Sequence, residues 1–496
     1  MAKIPDGPQL ITYADRLGGD LPRLTALVEG PLAGAFAGVH VLPYYTPYDG
    51  TDAGFDPEDH AQVDPRLGTW SDVRRLGESH TVMSDVIVNH VSARSARFQD
   101  VVTRGDDSPW APMFLTLSSV FPDGASEADL ARIYRPRPGL PFTAMTLGGV
   151  RRLVWTTFTA DQVDIDLRTP QAWEYLTSVV DALTDAGVSM LRLDAVGYTG
   201  KEAGTDCFMT ASTSKYTQRI LDLAHARGAT VLLEIHGHHT QQVEIARTVD
   251  LVYDFALPPL LLHALHARDL EPLRSWLDIR PTNAVTVLDT HDGIGIVDVG
   301  PSDLRPGEPG LLLPEQIDAL VEHIHDASDG TSRLATGAAA SNLDLYQVNC
   351  TFYDAVGRDD RRYLLARLIQ LVLPGIPQVY YVGLLAGRND MALLEATGVG
   401  RDVNRHRYTP AEVEEALARP VVRAQLDAMR LRRDHPAFGG AFSSAVDGTR
   451  ATLSWELARD GVTHRVGLEL DVRDASFALR ATRDGGEGTV LDESAV

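Results

Sequence analysis

The sequence predicts an α/β fold, a (β/α)8 TIM barrel with two inserted subdomains and a small C-terminal β-domain. Three observations predict it. Eight apolar runs of strand length recur with helical patterns between them, the signature of βα units around a parallel sheet whose strands are buried on both faces. Two of the connections are far too long for a single helix. Beyond Ala437 the pattern changes to short alternating segments.

The strands are expected at 9–13, 38–43, 82–88, 189–193, 230–233, 251–255, 284–288 and 378–382. Eight such units point to a closed barrel rather than an open sheet. Residues 89–168 and 294–357 read as inserted subdomains over the barrel mouth, which divides the barrel into 1–88, 169–293 and 358–436. The first insertion is rich in Pro, Arg and aromatics, and 134–139 reads as extended, rigid loop. The uncharged stretch 368–385 approaches membrane length, but Pro374-Gly375 and Pro377 interrupt it and predict helix, turn and buried strand. A helical stretch at 410–434 precedes the β-domain, 437–496, with alternating segments at 451–455 and 464–468 and an acidic tail, Asp492-Glu493, expected to fray.

The 496 residues, 44% hydrophobic and 23% charged, have ordinary globular composition. A formal charge of −23 opposes nucleic acid and anionic lipid, so neither is an expected partner, and no membrane span is expected. Cys207 and Cys350 form no disulfide or metal-site pattern. Residues 1–8 carry one lysine and no apolar core, unlike a secretory signal, so a cytoplasmic location is expected.

Polar groups interrupt the apolar runs where a barrel places its active site, at the C-terminal ends of the strands. Asn89-His90 follow the third strand, Arg192 and Asp194 end the fourth, Glu234 and His236 follow the fifth, Asp254 lies in the sixth and His291-Asp292 close the seventh. Any one of these alone would satisfy a turn or a neighbouring arginine. Together they would desolvate one another, a cost usually retained for function. Paired carboxylates suit glycosidic chemistry: one attacks the anomeric carbon while its protonated partner gives a proton to the leaving oxygen. Retention needs the pair about 5 to 5.5 Å apart, a spacing that adjacent barrel strands can supply.

Asp85-Val86-Ile87-Val88-Asn89-His90, Leu191-Arg192-Leu193-Asp194-Ala195-Val196, Leu233-Glu234-Ile235-His236 and Leu288-Asp289-Thr290-His291-Asp292 resemble the four signature regions of the α-amylase family of glycoside hydrolases. The resemblance implies that Asp194 is the nucleophile, Glu234 the general acid/base and Asp292 the transition-state stabiliser, with Arg192, His90 and His291 in support. Within that family the chain resembles the sucrose phosphorylases along nearly its whole length, notably at 9–17, 134–142, 162–166 and 338–349. That likeness implies retaining phosphorolysis of sucrose to α-glucose 1-phosphate and fructose. Phosphate is then a co-substrate and no cofactor is needed. Arg137, Tyr346 and His236 match phosphate positions; Asp52 and Arg401 match residues that hold the far glucosyl hydroxyls; Phe55 and Tyr198 match aromatic walls. Gln162 and Gln347 match positions around the acceptor. Leu345, with Pro136, stands where users of sucrose 6′-phosphate tend to carry basic residues. Partners are then small molecules: sucrose, phosphate, glucose 1-phosphate and fructose. The relatives include monomers and dimers, which leaves a homodimer open. A related glucosyl phosphorylase, an α-glucoside hydrolase and a barrel that has lost catalysis are the alternatives.

The chain departs from many of these relatives at Gly237-His238-His239, where they carry aromatics. No carboxylate or cysteine spacing supports a metal there, and exposed loop histidines are expected. Asn89 matches a calcium-binding position of many amylases, but the resemblance to the sucrose phosphorylases implies no metal.

Overall fold

The eight apolar runs close on one another as parallel strands in a computed structural model of the chain, which describes residues 7–302, 307–338, 347–483 and 486–496. The barrel strands are β1 (Gln9–Thr12), β2 (Gly38–Val41), β3 (Thr81–Ile87), β4 (Met190–Asp194), β5 (Thr230–Leu233), β6 (Leu251–Asp254), β7 (Ala284–Thr286) and β8 (Ile376–Tyr380). They follow one another in chain order around the barrel, and β8 closes it against β1 through Gln9↔Gln378 and Leu10↔Val379. The last strand begins two residues earlier than expected, and Tyr381–Leu384 is a short helix. Gly375 is the reason. It turns the chain at φ +112°, and a Cβ there would lie 2.3 Å from the Ala284 carbonyl oxygen, so the chain enters the sheet at Ile376 with Pro377 inside the strand.

Polar side chains inside the barrel satisfy one another. Gln378 donates to Gln9 Oε1 (3.1 Å) and accepts from the Tyr253 hydroxyl (3.1 Å). His40 Nε2 lies 3.0 Å from Asp85 Oδ2, and Asp85 in turn binds Arg192. This network leads from the barrel interior to the mouth.

Helices cover the outside. Pro170–Asp185 starts where the Thr169 hydroxyl accepts the Ala172 N–H, with Pro at the first helical position, and buries Leu176, Val179, Val180 and Leu183. The expected helix at 410–434 is two helices, Pro410–Ala418 and Pro420–Asp434, because Arg419 before Pro420 is held extended at ψ 138°.

Both long connections rise from strand ends at the mouth. After β3, His90–Ser92 pairs with Gln162–Asp164, and a hairpin of Phe142–Leu147 with Val150–Trp155 stands beyond it. Residues 134–139 run outside helix and strand. After β7, Ile294–Gly295 pairs with Gln347–Val348, and the helices Pro314–Ala327 and Thr331–Ala338 lie between.

The C-terminal domain is a five-stranded antiparallel meander running from Ala441–Asp447 to Gly486–Asp492. Its alternation buries Leu453 and Trp455 on one strand and Val466, Leu468 and Leu470 on the next. The Trp455 indole donates to the Val372 carbonyl and ties the sheet to the barrel helix Asp360–Val372. The acidic tail is held rather than frayed: Asp492 caps a short 3-10 turn through the Ser494 N–H (3.0 Å). No helix among the described residues is long and apolar enough to cross a membrane.

Candidate active site

β4 and β5 run parallel in register through Leu193↔Leu233, so Asp194 at the end of β4 and Glu234 just past β5 emerge side by side. Arg192, two residues before Asp194 and therefore on the same face of the strand, grips both. Its guanidinium lies 3.2 Å from Asp194 Oδ1 and 2.9 Å from Glu234 Oε1, and it also binds Asp85 of β3. At 2% side-chain exposure Arg192 lies beneath the pocket. Ala195 follows in the left-handed region, φ 56°, and its N–H donates to Glu234 Oε2 (3.2 Å). A non-glycine residue in that conformation beside a reactive carboxylate is stored strain of the kind that clusters at active sites.

Charge is distributed unevenly over these groups. Burial and repulsion from Glu234 push the Asp194 carboxyl well above its usual range, against the pull of Arg192. Asp292 behaves oppositely: burial would raise it, but Arg401, His291 and Arg405 outweigh burial and hold it well below the carboxylate range. Arg401 NH1 lies 2.8 Å from Asp292 Oδ1. Asp52 is lowered too, since Arg401, Arg405 and Arg137 overcome its burial.

The walls are aromatic and amide. Phe55 stacks on His291 with ring centroids 4.9 Å apart and an 8° interplanar angle. His90 Nε2 donates to the Phe55 carbonyl (2.9 Å), and Gln162 stands beside the same carbonyl at 3.4 Å. Tyr198 packs edge-on against Phe158 (5.1 Å) and lies near parallel to Tyr134 (6.2 Å). At the mouth, Arg137 and Pro136 of the first insertion face His236, Val297 and Gln347 across one pocket that also takes in Asp194, Glu234 and Asp292. The Gln347 side chain is fixed by the Gly293 N–H (3.1 Å). His236 is a cation at neutral pH: burial alone would depress it, but the Asp298 carboxylate, with Glu234 and Asp292, raises it to about 9.

A family model for the α-amylase catalytic domain matches residues 35–225. The sucrose phosphorylase of Bifidobacterium adolescentis is 55% identical over 449 residues, 90% of this chain and 89% of that one. The sucrose phosphorylase of Agrobacterium vitis is 56% identical over 452 residues, 90% of this chain and 92% of that one. This chain belongs to the sucrose phosphorylase family. A solved member, the sucrose 6F-phosphate phosphorylase from Thermoanaerobacter thermosaccharolyticum, superposes with TM-score 0.89 at 34% identity and covers 99% of both chains.

Of the site residues that the likeness to sucrose phosphorylases assigns, all but three line this pocket. Arg192 supports it from below. Leu345 and Tyr346 lie outside the described residues. Two expectations need correction. His238 and His239 are not exposed loop histidines: at 4% and 7% exposure they are buried, because His238 caps the helix His239–Ala246 and its Nε2 binds the Pro309 carbonyl (3.0 Å) brought over by the second insertion. Asp254, grouped with the strand-end carboxylates, faces away from the pocket and anchors Trp276 (2.9 Å), Arg280 (2.9 Å) and the Leu257 N–H (3.1 Å).

Sequence reasoning missed five features, the last of them Lys201. Asp85 stands in the first signature region without an assigned role; a carboxylate in the middle of a buried strand is its signal. Tyr134 lies in the matched stretch 134–142 without an assigned role, while Arg405, which binds the His291 carbonyl (2.9 Å), Asp298, which binds His236, and the pocket aromatics Phe158 and Phe208 carry no local pattern. The oxygens around Asn89, the amylase calcium position, are occupied by Lys201. Its Nζ lies 3.5 Å from Asn89 Oδ1, 3.0 Å from Asp164 Oδ2, 3.0 Å from Thr157 Oγ1 and 2.5 Å from the Tyr198 carbonyl. Among the described residues the one group with three metal-capable side chains close together is Glu234, His236 and Asp292, whose ligand atoms lie within 4.8 Å of one another. Arg192 and Arg401 already engage its carboxylates.

Proposed function

We infer that this chain is a hexosyl-transferring phosphorylase that converts sucrose and phosphate, reversibly and with retention, to α-D-glucose 1-phosphate and D-fructose. The observation that carries the reading is one pocket combining a guanidinium-clamped carboxylate pair with two cations at its mouth, Arg137 and protonated His236. A hydrolase needs the pair alone. An enzyme whose second substrate is an anion must also offset the carboxylates that line the entrance.

In the first half-reaction an Asp194 oxygen attacks the anomeric carbon, the bond to the fructosyl oxygen breaks, and a proton passes from the Glu234 carboxyl to that oxygen. This gives a β-glucosyl ester on Asp194 and free fructose. In the second, a phosphate oxygen attacks the same carbon, its proton returns to Glu234, and Asp194 leaves as carboxylate. The second inversion restores the α-configuration. Asp292, kept ionised by Arg401 and Arg405, grips sugar hydroxyls and the positive charge that develops on the ring. Asp52 and Arg401 hold the far hydroxyls, while Phe55 and Tyr198 form the walls. Gln162, Gln347 and Pro136 shape the acceptor side with no added charge, which favours unphosphorylated fructose as leaving group. The higher identity to the two sucrose enzymes than to the sucrose 6F-phosphate enzyme points the same way. Other hydroxyl acceptors that reach the glucosyl ester would be glucosylated.

The Lys201 ammonium among the oxygens around Asn89 supports a metal-independent enzyme. Two buried, unpaired cysteines, Cys207 and Cys350, fit a reducing cytoplasm. Purified enzyme with sucrose, with and without roughly millimolar phosphate, tests the reading. Fructose matched by glucose 1-phosphate is expected; fructose matched by free glucose in both cases would make the chain a hydrolase.

A further inference from the structure

His236 reaches the pocket with its orientation fixed from behind. Its Nδ1 lies 3.0 Å from Asp298 Oδ2, and its ring stacks on Phe255 with centroids 4.0 Å apart and a 13° interplanar angle. Asp298 is fully buried on the short 3-10 turn Val297–Val299 of the second insertion. Its other oxygen accepts the Gly237 N–H (3.1 Å) and the Gln242 side-chain amide (2.8 Å). The carboxylate is therefore held by three donors, and only one of them is the imidazole. A second feature keeps the pair together: a Cβ at Gly295 would lie 2.6 Å from Asp298 Oδ2 and 3.4 Å from His236 Nδ1, so the backbone opposite the dyad has room for glycine alone. With Nδ1 engaged, Nε2 is the remaining nitrogen of a ring that lines the cavity, and among the described residues it is buried without a hydrogen-bond partner.

We propose that Asp298 is a positioning residue that holds His236 as an imidazolium with Nε2 directed at the anionic co-substrate, and so sets the affinity for phosphate rather than the rate of glucosyl transfer. The proposal rests on the phosphorylase reading. The charged groups around His236 are Asp298 behind it, Glu234 beside it on the same strand end, Asp292 after β7 and Arg137 across the pocket. Asp298 is the one carboxylate of the three that neither faces the glucosyl ring nor takes part in proton transfer. It can serve as a fixed counter-ion throughout the cycle.

The test is Asp298→Asn, which keeps an oxygen acceptor for Nδ1–H and removes the charge. Without that charge His236 drops from about 9 toward its ordinary value. At pH 8 the charged fraction then falls from about nine-tenths to about one-thirtieth. The expected result is a KM for phosphate raised roughly tenfold at pH 8 and little changed at pH 6, while hydrolysis of sucrose measured without phosphate stays within about twofold of wild type. Gly295→Ala, which pushes the carboxylate off the ring without removing it, should shift the phosphate KM in the same direction. Wild type alone should keep a flat phosphate KM to about pH 8 and lose affinity through about pH 9. A phosphate KM in Asp298→Asn that tracks wild type at pH 8, or hydrolysis falling in parallel with phosphorolysis, overturns the assignment. If wild type makes no glucose 1-phosphate from sucrose, the phosphorylase reading itself fails. If it does and these shifts are missing, only the role of Asp298 falls.

Discussion

Replacing Lys201 with methionine keeps the length and apolar stem of the side chain and deletes only the ammonium. In the folded protein that ammonium is 2% exposed, and its partner Asp164 is fully buried. Removing one member of a buried ion pair typically costs about 3 to 5 kcal/mol, because the other is left buried and uncompensated. Asp164 keeps two further donors, the Thr157 N–H (2.9 Å) and hydroxyl (2.5 Å), which places the loss at the lower end, about 3 kcal/mol. That is roughly a hundredfold in the unfolding equilibrium. Urea unfolding followed by tryptophan fluorescence would report it directly, since Lys201 lies 5.3 Å from the Trp155 ring. The double variant Lys201→Met/Asp164→Asn should recover about 2 kcal/mol relative to additivity, because it removes the orphaned charge. Activity should fall as well: Lys201 also holds the Tyr198 carbonyl, and Tyr198 lines the pocket, so KM for sucrose rises. A single variant within about 0.5 kcal/mol of wild type, or strict additivity in the double variant, would refute the claim that this ammonium anchors the first insertion to the barrel.

Asp194→Asn should lower turnover by at least roughly 10³-fold with the fold intact by circular dichroism; appreciable glucose 1-phosphate formation would mean another group attacks the anomeric carbon. Dialysis against EDTA should leave both activity and melting temperature unchanged, and a loss reversed by added calcium would show that Lys201 does not stand in for the ion. Stability should decline from pH 7 to pH 5. Burial holds His60 at about 4 and His291 at about 3, so between those values and about 6.5 the unfolded chain binds protons that the folded one does not, and the stability present above that range is lost as pH falls. Asp289, raised by burial to about 6 against the pull of Arg367, acts the other way, its contribution being lost as pH rises through that value. Asp194, also raised, acts with Asp289, while burial holds His239 and His266 at about 4 alongside His60 and His291; the four histidines outweigh the two carboxyls, and a urea midpoint that rises on acidification would contradict the balance.

The barrel was legible because each strand is an apolar run buried on both faces, and the reactive carboxylates were legible because they break those runs at one end. The eighth strand begins two residues before the expected one because Pro377, an interruption in the sequence pattern, lies inside the strand. Only the tertiary contact of Gly375 with Ala284 shows where the turn lies. The same limit hid Lys201, Arg405 and Asp298. Each acts on a group 61 or more residues away, as Asp298 does on Gly237, and nothing in its own neighbourhood marks it. His238 and His239 looked like loop residues because their partner, the Pro309 carbonyl, arrives from another insertion.

These misses share a cause that bears on how the enzyme works. The groups that would move a glucosyl unit come from the ends of β4 and β5 and the segment after β7, elements that the strand pattern specifies locally. The groups that would admit an anion come from elsewhere: Arg137 from the first insertion and the Asp298 behind His236 from the second. On the proposed reading, anion affinity is attached to the barrel through tertiary contacts rather than built into its strands. It can change without disturbing Asp194, Arg192 and Glu234, whose positions are fixed by β-sheet register and one shared guanidinium. On this account, substitutions in the two insertions should alter the balance of phosphorolysis against hydrolysis while sucrose cleavage itself persists. A substitution at Arg192 should abolish both together, because it releases Asp194 and Glu234 from the one cation that holds them side by side.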